Sequence, residues 1–127
     1  MQIKITIQLR PITKKNHQQI RVNRKTGRRF IAPSPQYEQY EKECGWYLKK
    51  IVGQPIDYPI TIKCLYYMPT RGRVDLTNLM ESTHDVLVKH GILKDDNSKI
   101  IVSVDGSRVL YDKDNPRTEI HIKKVEG

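Results

Sequence analysis

Leu76, Leu79, Thr83, Val86, Leu87 and His90 recur at the three- and four-residue steps of one helix face, and Gly91 follows as a C-terminal stop. The rest of the fold must supply a surface for that stripe. At 100° per residue, Asn78, Glu81, Ser82, Asp85 and Lys89 fall on the opposite face. Asp75 stands just before the first turn, where it either caps the helix or lies free at its positive end. Asp95 and Asp96 come after Gly91, in a turn able to fold back along the helix.

Four or five carboxylates could thus converge from one helix face and two loops. Like charges at close range raise one another's pKa unless a cation neutralises them, and hard oxygen ligands of this kind suit Mg²⁺ or Mn²⁺. Each acid also has a plainer reading. Asp75 is then only an N-cap, Asp85 a solvated helix residue, and Asp95-Asp96-Asn97-Ser98 only a turn. Their joint spacing favours the metal reading.

The remaining chain predicts strands and one further helix. Ile3, Ile5, Ile7 and Leu9 alternate with polar residues until Pro11, the pattern of a strand with one face on a core. Ser34-Pro35 is a cap followed by proline at the first helical position, and Tyr37, Tyr40, Cys44, Tyr47, Leu48 and Ile51 continue at helical spacing, giving a helix over about 35–51. Its tyrosine stripe reads as core packing rather than base stacking, while Trp46 is left open between an exposed and an interfacial place. Pro59 to Met68 forms a long strand entering the acidic segment. Two further strand-like runs, 99–104 and 107–111, flank Asp105-Gly106, a hairpin or bulge signal that makes Asp105 a turn residue. A closing strand runs from Arg117 to Val125. The order β, β-hairpin, α, β, α, β, β predicts an α+β domain over 1–127, with a small mixed or antiparallel sheet and both helices on one face. The last strands are expected to pair antiparallel by a hairpin.

Charge points to a polyanionic partner. The chain has 127 residues, enough for one domain with a real core, and carries a formal net charge of +9. From Arg10 to Arg29 the sequence has Arg10, Lys14, Lys15, Arg21, Arg24, Lys25, Arg28 and Arg29 and no acid. Within that span, short strand-like segments around Arg24-Lys25-Thr26-Gly27 form a hairpin able to lie against a duplex backbone. The alternative is a solvated loop. His17 reads as a polar loop residue, since no second histidine stands at metal spacing. Arg71 and Arg73, just before Asp75, could hold a phosphate beside the metal or simply pair with nearby acids. Cys44 and Cys64 are the only cysteines, so neither a disulfide framework nor a zinc site is supported. With no signal peptide and no long apolar run, the expectation is a soluble cytoplasmic protein that makes no membrane contact.

Asp75-Leu76-Thr77-Asn78-Leu79, Asp85-Val86-Leu87 and Gly91-Ile92-Leu93-Lys94-Asp95-Asp96 resemble the signature of the RusA family of Holliday-junction resolvases. That family shows an Asp-x-Asp-Asn-Leu-x-Lys run, an Asp-Ala-Leu on the same helix and a Gly-x-x-x-Asp-Asp turn. The order of elements agrees over nearly the whole chain. Residues 11–16 and the basic hairpin likewise resemble a family loop, which implies DNA contact by Lys14, Lys15, Arg21, Arg24, Lys25, Arg28, Arg29, Arg71 and Arg73.

The resemblance implies that Asp75 and Asp96 are metal ligands supported by Asn78, Asp85 and Asp95. Two positions depart from the pattern. Thr77 brings a neutral hydroxyl where the family has a second aspartate, and Glu81 stands where it has lysine. Glu81 first and Asp85 second could restore the charge lost at Thr77, and Lys89 or Lys94 could replace the lost cation. The implied activity is Mg²⁺-dependent, or Mn²⁺-dependent, hydrolysis of branched DNA such as a four-way junction, by a homodimer. Two other readings stand beside it: a junction-binding protein in which Thr77 and Glu81 have weakened or abolished cutting, and a small RNA-binding protein supported by charge and tyrosines alone.

Overall fold

The computed structural model describes residues 2–14, 18–51 and 53–126. Lys15 and His17 lie outside the described residues. In chain order the elements are β1 (Gln2–Ile7), β2 (Gln18–Val22), β3 (Arg29–Pro33), α1 (Pro35–Leu48) with a 3₁₀ turn (Lys49–Ile51), β4 (Ile60–Met68), α2 (Leu76–Lys89), β5 (Ile101–Ser103), β6 (Arg108–Tyr111) and β7 (Arg117–Lys124).

Alternation in the strands decides which face is covered. Ile5 and Ile7 of β1, Ile60, Ile62, Cys64, Tyr66 and Met68 of β4, and Ile120 and Ile122 of β7 are all buried in one cluster with Tyr40, Cys44 and Leu48 of α1 and Leu79, Val86 and Leu87 of α2. Both helices therefore cover the same face of an α+β layer pair, as the pattern of elements requires. The tyrosine stripe of α1 is core: Tyr37 and Tyr40 are buried and meet edge to face, with ring centroids 6.0 Å apart. Trp46 is exposed. Both cysteines are free and buried, and burial pushes their thiols up to about 12 for Cys44 and about 11 for Cys64. Among the described residues no helix is long and apolar enough to cross a membrane.

The sheet topology corrects one expectation. β7 lies antiparallel between β1 and β4, but β5 and β6 both run parallel to β4 along its far edge instead of forming an antiparallel hairpin with each other. The segment carrying α2 is long enough for the return that parallel pairing needs. Asp105-Gly106 is thus an excursion in one interrupted edge, with Gly106 at φ +87° and the Ser107 hydroxyl accepting from the Cys64 amide at 3.0 Å.

A second correction concerns Ser82, assigned by periodicity to the solvent face. It is buried, with 2% of its surface exposed, because the chain before the hairpin lies over it and the Lys14 amide donates to its hydroxyl at 2.9 Å. The next residue, Thr83, is bonded to the Tyr66 hydroxyl at 2.8 Å and donates to the Leu79 carbonyl at 3.1 Å, fixing α2 to β4.

Candidate functional site

Asp75 caps α2. Its backbone is extended, and its Oδ1 accepts from the amides of Thr77 at 2.9 Å and Asn78 at 3.3 Å. The helix therefore starts with a carboxylate at its positive end. Thr77 and Glu81 follow on the exposed face, while Asn78 and Asp85 are half-buried.

Gly91, at φ +78°, reverses the chain after α2, and Ile92 and Leu93 both donate to the Leu87 carbonyl. A bridge between Ile56 and Leu93 then anchors the start of the following turn. In that turn Asp95 Oδ1 accepts from the Asp96 amide at 2.7 Å and Oδ2 from the Asn97 side chain at 3.1 Å. Asp95 thus shapes the turn that presents Asp96. Burial pushes the Asp85 carboxyl up, Lys14 draws it back, and Asp96, Glu81 and then Glu41 push it up again. These acids therefore act on the charge of Asp85.

The acids form a row rather than a closed cluster. Among the described residues no three His, Cys, Asp or Glu side chains group so as to hold a metal ion. Asp75 and Asp85 are ten residues apart on one helix, about 15 Å along its axis. Oxygen donors that repel one another suit a hard divalent cation, but Asp75, Asp85 and Asp96 would have to be drawn together around it. In donor chemistry the site fits such an ion; it is not preassembled.

Cations surround the row unevenly. Lys14 Nζ lies 4.0 Å from Asp85 Oδ2. Lys89, one candidate for the missing cation, is bonded instead to Glu41 of α1, and the exposed Lys94 is placed by its amide on the Ile56 carbonyl. Arg73 lines a cleft of about 220 Å³ with Arg10, Thr13, Gln36 and Thr70, immediately before the α2 cap. Arg71 points elsewhere, its guanidinium 4.2 Å from the centroid of the Tyr111 ring.

On the hairpin, Arg21 pairs with Glu38 at 3.1 Å, whereas Arg24, Lys25, Arg28 and Arg29 are exposed around the turn. Asn23 fixes that turn: its side chain accepts from the amides of Lys25 and Thr26 and its carbonyl from that of Gly27, which sits at φ +71°.

Three features escaped sequence reasoning. Arg10 was counted only as charge, and Gln36 gave no signal at all. His84 lies on α2 with Nε2 buried and unpaired among the described residues; burial lowers its pKa and Asp96 opposes that shift. Its place between the apolar and acidic stripes of α2 was the one available hint.

The chain matches the family model described as Endodeoxyribonuclease RusA over residues 8–123. It is also 30% identical over 97 residues to crossover junction endodeoxyribonuclease RusA of Aquifex aeolicus (strain VF5), an alignment covering 76% of this chain and 73% of that protein. The span matched by the family model takes in the α2 acids, the turn at Asp96, the cleft and the basic hairpin. The chain belongs to the RusA family of endodeoxyribonucleases.

Proposed function

We propose that the protein is a single-domain, divalent-metal-dependent endodeoxyribonuclease that resolves four-way DNA junctions by symmetric phosphodiester hydrolysis. Mg²⁺ is the preferred ion, Mn²⁺ an alternative, and the cytoplasm the place of action. The observation that carries this reading is the family match over residues 8–123. The acid row on α2, beside a cleft lined by arginines, supports it.

Asp75 and Asp96 are the proposed metal ligands, with Thr77, Glu81 or Asp85 completing the shell. When bound, the cation supplies an acidified water and stabilises charge on the leaving oxygen. Asn78 and Asp95 hold the segments that carry the two principal acids, and Lys14 balances Asp85. Arg10 and Arg73 hold a backbone phosphate next to the row, since guanidinium groups match phosphate oxygens. Arg24, Lys25, Arg28 and Arg29 track a duplex arm, with Arg21, Lys15 and Arg71 in support. Paired cuts on two strands call for two sites related by a twofold axis, hence a homodimer.

The test is nicking of a synthetic four-way junction beside a linear duplex of matched sequence, with Mg²⁺, Mn²⁺ or EDTA, for wild type and Asp75→Asn. The expected result is metal-dependent, junction-selective cutting that the substitution removes. Tight junction binding with no cutting under any ion would make this a binding protein on a nuclease fold.

A further inference from the structure

The β2–β3 hairpin forms a two-stranded sheet of its own, separate from the main one. Its register pairs Ile20 with Ile31 and Val22 with Arg29, so these four residues share one face, while Arg21 and Phe30 share the other. The second face leans on the body of the protein in part: Arg21 reaches Glu38 of α1 and Ala32 is buried, while Phe30 remains exposed. The first face is bare: Ile20 is 71% exposed, Ile31 69% and Val22 55%. Single exposed aliphatic residues are ordinary, but three side by side on a ribbon make a contiguous patch that marks a contact surface.

The charge around the patch selects its occupant. From residue 18 to 31 the sequence has Arg21, Arg24, Lys25, Arg28 and Arg29 and neither Asp nor Glu. A second copy docking there through the same face would set two cationic ribbons against each other. A nucleic-acid groove offers the complement, with phosphates along its walls and bases at its floor. A two-stranded ribbon fits the major groove of a duplex, and aliphatic wedges are a recurring means of unstacking base steps. Bases at a branch point are already interrupted in their stacking, which lowers the cost of admitting such a wedge.

We propose that the apolar face of the β2–β3 ribbon packs Ile20 and Ile31 against bases at the branch point, while Arg24, Lys25, Arg28 and Arg29 hold the flanking phosphates. This rests on the proposed action on branched DNA and adds a base contact to it. Apolar contact releases no counterions, so its contribution is independent of salt, unlike that of the arginines.

The experiment uses a four-way junction carrying 2-aminopurine at the branch, titrated with the full chain in EDTA over a series of salt concentrations. Wild type should bind and raise the fluorescence, reporting an unstacked base. Ile20→Thr/Ile31→Thr keeps β-branched side chains in the strands. It should bind about tenfold more weakly at every salt concentration, with the same slope of affinity against salt and no fluorescence rise. Ile20→Val/Ile31→Val should behave nearly as wild type. Wild type that binds the junction without any rise in fluorescence overturns the ribbon contact and leaves the nuclease reading intact, whether or not the threonine variant folds. Wild type that does not bind the junction removes both. An unchanged affinity in the threonine variant, or its conversion from dimer to monomer by light scattering, also overturns the proposal, the latter by showing that a second copy covers the patch.

Discussion

The Lys14 amide donates to the Ser82 hydroxyl across 2.9 Å, and the Lys14 ammonium lies 4.0 Å from Asp85, one turn further along α2. Two contacts of a single residue thus tie the chain leading into the basic hairpin to the middle of the acidic row. Ser82→Ala leaves the amide without its acceptor in a mostly buried setting. The expected cost is about 1–2 kcal/mol in urea unfolding, with a fall in junction cutting larger than the fall in folded population. Equal losses would make the bond purely structural.

Asp75 both caps α2 and heads the acid row, and Asp75→Asn separates the two roles. Asparagine caps about as well as aspartate, so stability should stay within about 0.5 kcal/mol of wild type. Junction nicking should fall by about a hundredfold or more, because a charged ligand is lost, while junction binding in EDTA persists. A melting temperature that drops with cutting unaffected would reduce Asp75 to a cap.

Asp85 has a raised carboxyl pKa, through burial first and then through Asp96, Glu81 and Glu41 acting against Lys14. A folded-state pKa above the ordinary 3.8 means that the native protein takes up this proton more readily than the unfolded chain. Its ionisation therefore costs stability, a cost absent below pH 3.8 and present once the pH has risen through the folded-state value. Asp85→Asn should stabilise the metal-free protein at neutral pH by about 0.5 kcal/mol or less, given partial solvent screening, and change nothing in strong acid. Unfolding curves at the two pH values check both halves.

The histidines act in the opposite direction. His84 is lowered by burial, and His121 by burial and by Lys63 and Lys4 on the neighbouring strands. Below pH 6.5 the unfolded chain takes up these protons before the native one, so stability falls between 6.5 and the lower folded-state values. Replacing both by glutamine should flatten that slope. An unchanged slope would place the titrating groups elsewhere.

The four exposed hairpin cations, replaced together by alanine, should reduce the slope of log affinity against log salt by about 3 to 4, if each neutralises one phosphate. Binding measured from low to moderate salt reads this directly. A slope equal to that of wild type would remove Arg24, Lys25, Arg28 and Arg29 from the interface.

Much of this was legible in the chain, for identifiable reasons. The stripe from Leu76 to Leu87 and the alternation in β1, β4 and β7 are periodic signals strong enough to place the elements and the buried face. The stop at Gly91, with its φ of +78°, was legible as well. What failed depended on distant partners. Parallel pairing of β5 and β6 is a property of β4, not of the short runs themselves. Ser82 is buried by a segment almost seventy residues away, and Lys89 was claimed by Glu41 of α1. Arg10 and Arg73 line one cleft only because β1 and β4 end at the same side of the sheet.

The broken edge formed by β5 and β6 bears on how the protein behaves when concentrated. An outer strand of three residues, an excursion and four more offers no continuous row of amides and carbonyls to a passing chain, so it resists templated aggregation. The other border, β1, is an unbroken run of six residues. A sheet with a single adhesive border can join one neighbour and then has nothing left to extend, so growth by strand addition would stop at a pair and never lengthen into a fibril.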